Sequence, residues 1–228
     1  MKTALSMVKT NLKHTGTVYS IIIPVMILVV INYLTSIILV SSSENYTLGG
    51  GNYLYLLPIL LAIFVPAQNF SKLMNLGGKR KDFFRSSILT YVIASGIAIL
   101  LHILIYFTID LFLQTKIAGV IDLFNVFGFM EHGVIIAFFQ MLAFLILVCC
   151  VLHTLTMIQG HWYGWVTNAV IVIIISVFIP IAPLRAVLVW FFNLIIFHNT
   201  VIIQIISCLV LAAIIYYASL IPIRSKRI

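Results

Sequence analysis

From Val18 to Val40 the chain carries no Asp, Glu, Lys or Arg, and five further stretches share that property: 53–70, 87–109, 133–156, 165–181 and 201–222. A helix needs about 20 mostly apolar residues to cross a hydrocarbon core roughly 30 Å thick. In lipid, a helix is also the only single-segment structure that satisfies its own backbone groups. The pattern therefore predicts an all-α polytopic membrane protein with six transmembrane helices, forming one domain over residues 1–228. With 63% hydrophobic and only 8% charged residues, a soluble fold is excluded. The first apolar run is far longer than the roughly 7 to 15 residues of a signal-peptide core, so it is expected to be a retained span.

Eleven of the thirteen Lys and Arg residues fall into three groups: Lys2, Lys9, Lys13; Lys72, Lys79, Arg80, Lys81, Arg85; and Arg224, Lys226, Arg227. Cations collect in cytoplasmic loops. Six spans put all three groups on that side together with Asp82, and leave Lys116, Arg185, Glu44, Asp110, Asp122 and Glu131 outside, consistent with the net charge of +8. Both termini are then cytoplasmic, in a multi-pass protein of the cell membrane. The apolar piece 187–197 is too short to span, and crossing there would carry the last basic group to the wrong side. Residues 182–200 are accordingly expected to form a re-entrant hairpin in the outer leaflet. The positive charge is accounted for by topology, with no nucleic-acid partner implied.

Residues 1–16 place Leu5, Val8 and Leu12 on one stripe and Lys2, Lys9 and Lys13 around the rest, the pattern of a helix lying at the membrane interface. Pro58 and Pro66 predict kinks in the second span. His102 and His153 stand alone in apolar runs and are expected to be packing residues, while Gln140, Asn168 and Gln204 are expected to hydrogen-bond between helices. Cys149, Cys150 and Cys208 read as small buried hydrophobes.

Catalytic patterns are missing. Glu131 and His132 have no second His at the spacing of a zinc protease, and Ser95 lacks the flanking glycines of a hydrolase elbow. Gly77, Gly78 and Lys79 are followed by Arg80 where a phosphate-binding loop needs Ser or Thr, so no ATP site is expected in this chain. With four of the five carboxylates assigned to outer loops, an intramembrane acid–base pair has nothing to be built from. Spans empty of charge also argue against a carrier driven by protons or sodium.

The loop 71–86 is the exception to this blandness. Ser71 reads as a helix N-cap, Leu73 and Leu76 share a face, and Gly77 and Gly78 end the turn before a cationic patch and two Phe. Leu73, Met74, Leu76, Gly77, Lys79, Arg80, Asp82, Phe83 and Phe84 together resemble the coupling helix of ABC-2-type transporter permeases, which carries a Leu-Gly-x-x-Arg/Lys-x-x-Phe-like pattern between the second and third spans. The interfacial helix, six spans and re-entrant hairpin follow the same family order. The resemblance implies a permease subunit that dimerises with a second copy or a paralogue and docks a separate ATPase, on which ATP and Mg would bind. Small size and Ile-rich composition are similar to permeases of bacterial peptide exporters, including those for phenol-soluble modulins, and imply an amphipathic or hydrophobic cargo. Two other classes share the six-span outline: the substrate-binding membrane subunit of a vitamin importer, and an immunity or sensor protein without transport activity.

Overall fold

A computed structural model describes residues 2–13, 18–39, 46–115 and 119–225. Residues 14–16 of the predicted interfacial helix, together with Glu44, Lys116, Lys226 and Arg227, lie outside them.

Helix α1 covers Lys2–Lys13, and α2 (Ile23–Leu39) follows a π-helical turn, Val18–Ile22. After strand β1 (Tyr46–Leu48), a 3₁₀ segment (Gly50–Tyr55) runs into α3 (Leu56–Phe64), a π turn (Val65–Asn69) and α4 (Phe70–Asn75). Helix α5 (Arg80–Ile105) continues through a π turn (Tyr106–Asp110) into α6 (Leu111–Gln114). Strand β2 (Gly119–Ile121), α7 (Leu123–Val126) and a 3₁₀ turn (Phe129–His132) lead to α8 (Val134–Ile158), and α9 (Trp162–Phe178), α10 (Ala182–Ile195), α11 (Val201–Ala218) and α12 (Leu220–Ser225) complete the chain.

Five helical rods are long and apolar enough to cross a membrane: Tyr19–Ile38, Gly50–Asn75, Arg80–Gln114, Val134–Ile158 and Val201–Pro222. Helices α9 and α10 meet at 114° and make a sixth if the bent pair counts as one. Where a hairpin was expected over 182–200, α10 is thus a 14-residue helix set across α9. The second rod is longer than the predicted 53–70. No residue between Pro66 and Gly77 breaks a helix, so Ser71 lies inside the helix and does not cap a new one. The third likewise exceeds 87–109, and the loop expected over 71–86 shrinks to the four residues 76–79.

At the two prolines the helical ladder changes pitch. Pro58 falls in the first turn of α3, where a missing N–H leaves no bond unmade. Pro66 cannot donate to the carbonyl of Ala62, and the ladder widens into the π turn around it. The described residues also include a short ladder: β1 and β2 pair in parallel, with Tyr46 opposite Gly119, Thr47 opposite Val120 and Leu48 opposite Ile121.

Helix α8 is the central post, packed along α11, α5 and α3, with Met141, Cys149, Met157 and Phe70 fully buried around it. Polar side chains join the helices as predicted at Gln140, whose Nε2 donates to Gln204 Oε1 at 2.6 Å. Asn168 instead exchanges bonds with Gln159, only nine residues away, across the α8–α9 turn. His153 Nδ1 shares a hydrogen bond of 2.7 Å with the Tyr91 hydroxyl. A trio fixes α1 to the bundle: Asn69 Nδ2 donates to Asn11 Oδ1 at 3.0 Å, and Asn11 Nδ2 to Thr90 Oγ1 at 3.3 Å. Met7 reaches Ser86 and Gly78, and Tyr216 on α11 donates to the Phe84 carbonyl, so α1, the 76–79 turn and the α11–α12 junction meet at one end. That end gathers the segments that carry the basic groups.

Interhelical hydrogen bonds among apolar helices contribute about 0.6 kcal/mol on average and up to about 1.7. Asn11→Ala leaves Asn69 without its acceptor and should lower the unfolding midpoint in a denaturing-detergent titration by an amount equivalent to about 1 kcal/mol. The Asn11→Ala/Asn69→Ala double variant should cost clearly less than the two singles combined. Additive costs would show that the trio does not act as a unit.

Candidate functional site

The turn between α4 and α5 is built by its glycines. Gly77 has φ +80°, a left-handed conformation that suits Gly, and Gly78 N–H donates to the Leu73 carbonyl at 2.9 Å while Gly77 N–H donates to that of Met74 at 3.0 Å. This is a Schellman motif closing the helix. Helix α5 starts at once, with Lys79 extended as its cap and Asp82 in the first turn beside the N-terminal dipole.

Only part of the predicted docking set faces outward. Leu76 is 82% exposed at the tip, with Gly77 and Lys79 exposed beside it and Arg80 and Asp82 partly so. Leu73, Met74 and Phe83 are buried in the chain's own core, where Phe83 meets Phe70 edge-on with ring centres 5.1 Å apart. Phe84 stacks on Tyr216 at 4.2 Å. In the predicted apolar stripe, then, Leu76 is the fully exposed side chain, with Leu73, Met74 and Phe83 buried beneath it and Phe84 partly covered. Of the interfacial lysines, Lys9 is exposed, and α1 rests on α5 through Val8 and Asn11.

Above this turn a cavity of about 800 Å³ opens between α5, α8, α11 and α12. Arg80, Lys81 and Arg85 line one end, and Ile88, Cys150, Leu209, Ala212 and Tyr217 line much of the rest. Its shape is amphipathic, with a cationic mouth and an apolar body.

The opposite end brings together residues that the sequence reading kept apart. His102, Asp110 and Asp122 are all fully buried, and ligating atoms of the three lie within 4.8 Å of one another. Two of the carboxylates assigned to outer loops therefore converge, and Asp110 belongs to the rod Arg80–Gln114. His102 is not alone: Nε2 meets Asp122 Oδ2 at 2.7 Å and Nδ1 bonds the Tyr55 hydroxyl. Tyr33 donates to Asp110 Oδ1 at 2.9 Å, and Phe124 N–H to Asp122 Oδ1 at 2.7 Å.

Helical phase explains why the cluster was hidden. His102 and Asp110 are eight residues apart, about 80° out of line in an α-helix. The π turn Tyr106–Asp110 takes up one extra residue, so eight residues behave as seven and the two side chains return to one face. Asp122 comes back to the same place because β2 pairs with β1. The signal available in the sequence was Gly49-Gly50-Gly51. A Cβ on Gly51 would sit 2.1 Å from the His102 ring, one on Gly50 2.2 Å from the Tyr33 ring, and one on Gly49 3.0 and 3.2 Å from Oδ2 of Asp110 and Asp122.

No family model matches this chain, and no curated protein and no solved structure matches it either.

Overpacking at such a contact costs about 1–3 kcal/mol or more, and His102, held from both ring nitrogens, cannot give way. Gly51→Ala should therefore reduce the yield of monodisperse protein sharply. Gly96→Ala, where an added Cβ meets nothing within 4 Å, should be neutral or stabilising. Equal behaviour of the two in thermal melts would refute the close-packed cradle.

Proposed function

We propose that this chain is the permease subunit of an ATP-driven ABC exporter that moves an amphipathic or hydrophobic cargo, with amphipathic peptides the leading class. The observation that carries the reading is Leu76, an exposed apolar side chain on a rigid turn flanked by cations and continuous with two membrane-long rods. Such a tip is a lever. An ATPase subunit that grips it, with ATP and Mg bound on that subunit, would tilt Gly50–Asn75 and Arg80–Gln114 together.

The rest follows from position. The end that gathers the basic segments is taken as cytoplasmic, by the tendency of cations to remain inside. The α9–α10 pair supplies the sixth membrane element, with α10 in the outer leaflet as the re-entrant piece. Helix α5 both carries the lever and lines the 800 Å³ cavity through Arg80, Phe84, Arg85, Ile88 and Val92, so its tilt changes the width of that cavity. Apolar walls suit the greasy face of an amphipathic cargo, and the cationic mouth suits acidic groups on the other. A second permease copy or a paralogue would complete the pathway.

An exposed leucine can be changed without disturbing the core. If Leu76 is a docking hot spot of about 2 kcal/mol, Leu76→Asp should cut the ATPase recovered with the tagged chain from native membranes by about thirtyfold. Recovery at the wild-type ratio would defeat the docking assignment. Ala212→Trp, which fills the cavity away from the tip, should leave ATPase recovery unchanged and reduce export of amphipathic peptide from cells; unchanged export would remove the cavity from the pathway.

A further inference from the structure

We propose that His102, Asp110 and Asp122 form a binding site for a divalent transition-metal ion, with Zn²⁺ the best fit. The exporter reading is not needed for this, since the cluster lies at the far end of the bundle from Leu76. From Arg80 to His102 the helix rises roughly 33 Å, about the thickness of a hydrocarbon core.

The ligand set is assembled from both sides. Each carboxylate is held by its Oδ1: Asp110 by the Tyr33 hydroxyl and Asp122 by the Phe124 N–H. Both Oδ2 atoms are left to face the same spot beside Gly49, where a Cβ would meet them at 3.0 and 3.2 Å. His102 is fixed through Nδ1 by Tyr55, which leaves Nε2 turned toward that spot. Metal-binding histidines and carboxylates are oriented in this way by outer partners on their second atoms. All three ligands here have one.

A group in this cluster is also left over. Asp110 Oδ2 is buried without a hydrogen bond of full geometry among the described residues, although the Gly50 backbone amide lies beside the carboxyl group. An orphaned carboxylate oxygen is costly in an apolar setting. No Lys or Arg among the described residues pairs with either Asp, and His102–Asp122 is the ion pair found here. A dication neutralises two carboxylates and gives Asp110 Oδ2 its missing partner. One imidazole nitrogen with two carboxylate oxygens is a mixed donor set suited to Zn²⁺ or Mn²⁺ rather than to Ca²⁺, which takes six or more oxygens.

Binding requires little movement. Tetrahedral ligands about 2.0–2.1 Å from zinc stand roughly 3.3 Å apart. His102 Nε2 and Asp122 Oδ2, now 2.7 Å apart, must separate by about half an ångström, while Asp110 Oδ2 closes in. As the ion enters, the Nε2 proton of the imidazolium leaves for solvent while Nδ1 keeps its own and donates it to the Tyr55 oxygen, so a neutral imidazole binds the ion and nothing is oxidised or reduced. Water supplies the fourth position.

The test uses the full chain in detergent. Wild-type protein purified without chelator, then stripped with EDTA and dialysed against micromolar Zn²⁺ or Mn²⁺, should retain about one ion per chain by mass spectrometry and melt at a higher temperature than in EDTA. Asp110→Asn keeps an oxygen for Tyr33 to bond, so in EDTA it should melt close to wild type, yet bind the ion at least about tenfold more weakly. Tyr55→Phe, which frees His102 Nδ1, should weaken binding to a similar or lesser degree. Wild-type protein that retains neither ion, or Asp110→Asn that binds as tightly as wild type, would overturn the proposal. The first result needs no variant and stands even if the substitutions fail to fold.

Discussion

A backbone crossing an apolar slab has no water to turn to, so every N–H and C=O must find its partner within the protein. This rule shapes each irregularity of the membrane-long rods. Around Pro66 and again at Tyr106–Asp110 the ladder widens, and before Pro58 it tightens. In these rods the helix changes pitch without opening. The change at Tyr106–Asp110 has a further effect, since one extra residue in the turn rotates everything beyond it and brings Asp110 round to His102.

With the backbone self-sufficient, the helices are held together by close packing and a few side-chain bonds. Gln140 with Gln204, Tyr91 with His153, and Asn11 with Asn69 and Thr90 each link segments distant in sequence. Each bond is weak on its own scale, and their positions are spread along the bundle. The two ends are built differently. One is a tight turn with a single exposed leucine above locked aromatic rings, and the other is a knot of two acids and a histidine, all fully buried, held by two tyrosines.

The sequence made the rods legible because uninterrupted apolar length is a direct physical requirement of a span. It also made legible the glycines that end α4, and the amphipathic stripe of α1. The exposure of the residues in loop 71–86 was not legible: Leu73 and Phe83 look as available as Leu76 in a polar loop, and only the extension of the helix through Ser71 turns them inward. The acid–histidine knot was hidden twice over. Its helical half depends on a phase shift that simple 3.6-residue periodicity does not contain, and its other half on a strand pairing across more than seventy residues. The helical form of 182–195 was not legible either, because an apolar piece of about 11 residues, too short to span, is equally compatible with a turn or a short helix.

The parallel ladder of β1 and β2 is short, yet it acts as a gauge. It ends with Leu48 opposite Ile121 and a bond of 2.9 Å from Gly49 N–H to the Ile121 carbonyl, so the next residue on each strand is Gly49 on one side and Asp122 on the other. Side chains alternate along a strand, and a slip of one residue would turn Asp122 to the opposite face. Three paired residues therefore set the alignment of an acid with its histidine. The chain's tolerance for insertions and deletions should differ accordingly, with none to spare inside Tyr46–Leu48 and Gly119–Ile121.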